Sequence, residues 1–114
     1  MRFLSIFTHE HNPHPPSPEM IGKMGALIEQ GMKDGWLVAT EGVQFGKEGL
    51  RVHSKRGKVT VVDGPFSETK EVIGGYALLE APSREAILDI TRKFLAVAGD
   101  GTCELHELAA HPGH

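Results

Sequence analysis

The densest group of side chains able to do chemistry lies at residues 63–71, which read DGPFSETKE. An aspartate that closes an apolar run can serve as a general base or bind a polar group, and Glu68 and Lys70 add charges of both signs. Gly64 and Pro65 set a sharp, stiff turn, and Phe66 can anchor it apolarly. On this reading Asp63 is a catalytic candidate, and Gly64, Pro65, Phe66, Glu68 and Lys70, with Glu41 from an earlier segment, line a cleft for a small polar molecule. An architectural reading uses the same residues. Asp63 would bond nearby backbone N–H groups, Ser67 would cap a short helical turn through Glu68, Thr69, Lys70 and Glu71, and the charges would stay in solvent.

Three histidines, His9, His11 and His14, fall within six residues. His9 and His11 alternate and could share one face of a strand, but no carboxylate or cysteine spacing completes a metal site, so the expectation is solvated histidines and no metal. His9 is the second catalytic candidate, because it sits at the end of the first apolar run and could pair with Asp63 as acid and base. His53 and His106 read as surface or interface residues, and His111 and His114 belong to a tail. The basic run RVHSKRGK at 51–58 either captures an anionic ligand or acidic surface, or is a solvated hairpin tip whose charges discourage edge pairing. Glycine-rich phosphate loops, nucleophile elbows and paired-cysteine motifs are missing from the sequence, so no cofactor is expected.

The chain has 114 residues, which fits one domain over 1–114 with a single core. Its 39% hydrophobic and 24% charged residues are those of a globular protein, and a net charge of −3 argues against direct nucleic-acid binding. The single cysteine, Cys103, cannot form an internal disulfide and reads as a small core residue, in keeping with a cytoplasmic location. The first residues, MRFLSIFTHEH, meet histidine and glutamate too early for a signal peptide or membrane span, and no later run approaches spanning length.

These groups must be held by regular elements. A strand is expected at 2–8, followed by a loop at 9–16. Ser17 caps a helix with Pro18 at its first position and Met20, Met24, Leu27, Ile28 and Met32 along one stripe, stopping at Gly35. The glycines at 22, 25 and 31 read only as loosening this helix. Strands follow at 36–42, in LRVHS and KVTVV joined by a KRG turn, and in GGYALLEA. Ser83 caps a second helix with Ile87, Ile90, Phe94, Leu95 and Ala98 inward and Gly99 as its stop, and a last strand covers 102–108. The order β-α-β, hairpin, β-α-β is a ferredoxin-like α+β plan with an inserted hairpin. That plan leaves one sheet face open, yet the strands are apolar on both faces. A second copy is the simplest cover, so a homodimer with sheets packed face to face is expected.

The segment VTVVDGPFSETKEVIGGYALLEAPSREAI resembles the YCII-related domain family, in the subgroup named for DGPFAETKE, with Ser67 in place of alanine. ATEGVQ, LRV and the KRGK turn fit the same pattern, so the resemblance runs from Arg2 to about Leu108. It implies a dimeric α+β barrel. It also implies one enzyme mechanism, a histidine and an aspartate acting as an acid–base pair, in which the histidine sits on the first helix. That helix has no histidine here, and His9 or His11 with Asp63 is the replacement at hand. Subgroup members are associated with extracytoplasmic-function sigma factors, which implies the alternative of a non-catalytic regulatory or partner protein.

Overall fold

The computed structural model describes residues 1–11, 15–44, 49–63 and 71–109. Its elements run β1 (Arg2–Glu10), α1 (Pro18–Asp34), β2 (Leu37–Gly42), β3 (Leu50–Lys55), β4 (Lys58–Asp63), β5 (Glu71–Glu80), α2 (Arg84–Ala98) and β6 (Thr102–Glu107). β1, β2, β5 and β6 form an antiparallel sheet in the order β2-β5-β1-β6, the ferredoxin-like arrangement expected from the element order. β3 and β4 pair only with each other, as a separate hairpin. Among the described residues no helix is long and apolar enough to cross a membrane.

Both helices begin and end where their caps dictate. The Ser17 and Ser83 hydroxyls accept from the Met20 and Ala86 amides at 3.1 and 3.2 Å, and Gly35 closes α1 in the left-handed region at φ 86°. The helices cover one sheet face. Leu37, Leu79, Ala81, Ile87 and Ile90 make the buried core there, with Phe3, Ile28, Trp36, Ala77 and Leu105 packed around it. Ile87 is the most enclosed, at 1% exposure. Gly31 has a specific function in this packing and is no mere loosening of α1: a Cβ there would lie 2.6 Å from the Trp36 ring, so the bare Cα lets the indole lie against the helix.

Directly paired residues share a face, so the register defines the other side of the sheet. One row across it is Ala39, Leu78, Leu4 and His106, and the next is Glu41, Tyr76, Ile6 and Glu104. Among the described residues no element covers this side of the sheet, both helices lying opposite.

The bounds of β1, β2 and β5 differ from expectation. β5 begins at Glu71, earlier than the GGYALLEA run suggests, and its extra residues supply partners that lengthen β1 to Glu10. His9 is therefore a strand residue paired with Val72, where a loop was expected. Glu71 belongs to β5 and to no helical turn; the rest of that turn lies outside the described residues. β2 starts at Leu37, and Trp36 before it lays its ring on Gly31 while its carbonyl accepts from the Glu80 N–H at 2.9 Å.

Candidate functional site

The sequence candidates fall into three groups. Gly64, Pro65, Phe66, Glu68 and Lys70 lie outside the described residues, as does His14. Asp63 is the exposed last residue of β4, paired with Leu50, and is the point from which the DGPF segment departs. Glu41 is exposed on the open sheet face.

His9 lies on the opposite face, with the helices. Its ring stacks on Phe7, centroids 5.4 Å apart, and Phe7 in turn meets Phe94 of α2 edge-on at 5.1 Å. Because His9 and Glu41 are on opposite faces, a single chain does not bring them together. Glu71 and Val72, the first residues of β5, pair with Glu10 and His9.

Two local features fix the imidazole. A carbonyl oxygen can only accept, so the 2.7 Å contact from His9 Nδ1 to the Glu10 carbonyl places the proton on Nδ1. In the neutral ring Nε2 then carries the free lone pair. The second feature is Gly74, the extra residue where the β1–β5 register shifts between Phe7 and Thr8. A Cβ at Gly74 would stand 2.8 Å from His9 Cδ2, 2.9 Å from Nε2 and 3.0 Å from Phe7 Cδ2, so the histidine and phenylalanine rings occupy the space that glycine leaves. Phe7 and Gly74 are thus the positioning residues that the sequence reading passed over. The glycine pair Gly74–Gly75, separated from DGPFSETKE by two residues and set inside an apolar strand pattern, was the available signal.

Cys103 shares the helix face, opposite Phe7 on β6, and is half-buried. Burial pushes its thiol up, with a hydrogen bond to Ser5 acting the other way, so it is a packing residue with no activated thiolate. His106 is on the other sheet face, 2.8 Å from Glu104, and does not approach the thiol. His11 is exposed, and among the described residues no three His, Cys, Asp or Glu side chains converge as metal ligands.

An open cleft of about 370 Å³ lies at the far end of β1 from His9, between Trp36, Glu80, Pro82, Asp89 and Lys93. Its carboxylates are already engaged: Glu80 with Arg2 at 3.1 Å, Asp89 with Arg92 at 2.8 Å, and Asp34 with the Gln30 amide at 2.7 Å. Nothing in it resembles the expected acid–base pair.

No curated protein matches this sequence. The model of the YCII-related domain matches residues 1–108, nearly the whole described structure, and the chain belongs to that family.

Proposed function

We propose that this protein binds a small polar molecule at the end of β1, beside the DGPF loop, with His9 and Asp63 as the acid–base pair that acts on it. The observation that carries this reading is the held His9 ring: Nδ1–H is committed to the Glu10 carbonyl, Nε2 keeps its lone pair, and the paired neighbours Glu71 and Val72 are the residues with which β5 begins. An imidazole so fixed can take a proton through Nε2, and a carboxylate on the adjoining loop can orient the substrate or stabilise the imidazolium. Gly64, Pro65, Phe66, Glu68 and Lys70 would form the loop side of the pocket. Glu41, on the opposite face, would join it only through a second copy. The single cysteine, Cys103, leaves no internal disulfide to form, which supports the reducing cytoplasm as the protein's location.

The apolar residues Leu4, Ile6, Leu78 and Tyr76 on the side away from the helices support a homodimer with those faces together. The non-catalytic alternative, a regulatory partner of an extracytoplasmic-function sigma factor, draws its support from the uncovered hairpin.

An NMR binding screen with a panel of small carboxylic acids, amides and hydroxy compounds tests the first reading. The expected result is movement of the His9, Val72 and Gly74 signals and of the amides of 64–70, weakened at least tenfold in both His9→Gln and Asp63→Asn while the fold is kept. Shifts confined to the Trp36 cleft, or undiminished in the two variants, would overturn it. A panel that moves nothing, together with protection of hairpin amides by a sigma-factor domain, would establish the alternative.

A further inference from the structure

The β3–β4 hairpin has two unlike faces. Leu50, Val52, Val59 and Val61 share one with Ser54 and Asp63, the four apolar residues each about 60% exposed (61, 61, 61 and 60%). Arg51, His53, Lys55 and Lys58 share the other with Thr60 and Val62. The strands are joined tightly by Arg56 and Gly57, both at positive φ, so the arm is well formed, but a two-stranded hairpin gains independent stability only when something packs on it. Among the described residues nothing covers its apolar face.

The rest of the chain carries a matching surface. At one corner of the open sheet face, Ile73 is 49% exposed, and Val43, whose N–H continues the ladder onto the Gly74 carbonyl at 2.9 Å, is 48% exposed. Glu41 borders that corner, on the face shared with Tyr76 and Ile6. The charge balance fits as well. Residues 50–63 hold four of the chain's twelve cations and one of its fifteen carboxylates, a net +3, which leaves −6 on the remainder. An apolar arm with a cationic tip is thus complementary to an apolar corner with an acidic border on a body of opposite charge.

We infer that the hairpin is an exchange arm: its Leu50–Val52–Val59–Val61 face packs on the Ile73–Val43 corner of a second copy, whose own hairpin packs back in return. Two-fold symmetry makes both contacts identical, and the arms extend the cover of the open faces beyond the sheets themselves. This rests on the homodimer reading and specifies which segment completes it.

Sedimentation velocity on the full chain, with circular dichroism on the same samples, tests the arm through the pair Val52→Asp/Val61→Asp, through Ile73→Asp, and through Ile6→Asp at the centre of the sheet face. The expected wild type has twice the 12.4 kDa chain mass. The hairpin pair and Ile73→Asp each weaken that dimer at least tenfold with the native spectrum retained. Hydrogen exchange on the wild type gives a readout independent of any variant: hairpin amides protected at high concentration and exposed on dilution. A wild-type monomer would sink both the arm and the homodimer. A dimer broken by Ile6→Asp but indifferent to the hairpin pair and to Ile73→Asp, with hairpin amides unprotected, would overturn the arm and leave the face-to-face dimer standing. Loss with the hairpin pair alone would mean that hairpins meet each other, which also overturns it.

Discussion

The two-helix sheet and the β3–β4 hairpin are built from the same kinds of residue and have opposite fates. Leu79 and Ile87 are 4% and 1% exposed in the first, while Val59 and Val61 remain about 60% open (61 and 60%) in the second. In the sheet, strand alternation is answered by two capped helices that bring apolar stripes onto one face. In the hairpin, alternation is equally clear but nothing among the described residues faces it. β-propensity and a tight turn thus make the hairpin's local structure, and burial must come from elsewhere. The radius of gyration, 16.3 Å, reflects this, being larger than the roughly 13 Å of a compact chain of this length.

Substitutions in the two regions should separate accordingly. The largest loss is expected for Ile87→Ala, about 2–5 kcal/mol by denaturant unfolding, because a fully enclosed side chain leaves a cavity. Gly31→Ala comes next: the new methyl meets the Trp36 ring at 2.6 Å, and an overpacking cost of about 1–3 kcal/mol should outweigh the helix propensity gained, with a blue- or red-shifted Trp36 fluorescence as an independent readout. Ser83→Ala removes the α2 cap and should cost about 1 kcal/mol. Val61→Thr in the hairpin should change the stability of the dilute protein by less than about 0.5 kcal/mol. A loss from Val61→Thr as large as that from Ile87→Ala would erase the contrast between the two regions.

Cys103 gives a pH test of the sheet side. Its thiol is raised in the folded state, chiefly by burial, so the native protein holds this proton more tightly than the unfolded chain. The stability linked to it is complete below the ordinary thiol range and is lost as pH rises through the folded value. Wild type should therefore lose stability in alkali slightly faster than Cys103→Ala, a small difference readable in paired melts.

Much of this architecture is legible in the sequence because its signals are local. Ser17 and Ser83 as caps, Gly35 and Gly99 as stops, and the positive-φ turn at Arg56–Gly57 each act within a few residues. What the sequence hides depends on contacts between distant segments. Gly31 looks like a weak helix residue until Trp36 lies on it, and Gly74 looks like an ordinary strand glycine until the Phe7 and His9 rings cross it. The same applies to His9: local composition makes it a loop residue, and only the early start of β5 draws it into the sheet. The separation of His9 from Glu41 was equally invisible, since the face of each depends on strand register.

His9 is held through Nδ1, with Nε2 left as the acceptor nitrogen of the neutral ring. A long-range ¹H–¹⁵N spectrum of the imidazoles, recorded well above the ordinary histidine pKa of about 6.5, reads this directly. The account predicts that His9 is the Nδ1-protonated tautomer and that its Nε2 signal moves when the small-acid panel is added. An Nε2-protonated His9, or an Nε2 signal indifferent to compounds that bind elsewhere on the protein, would contradict it.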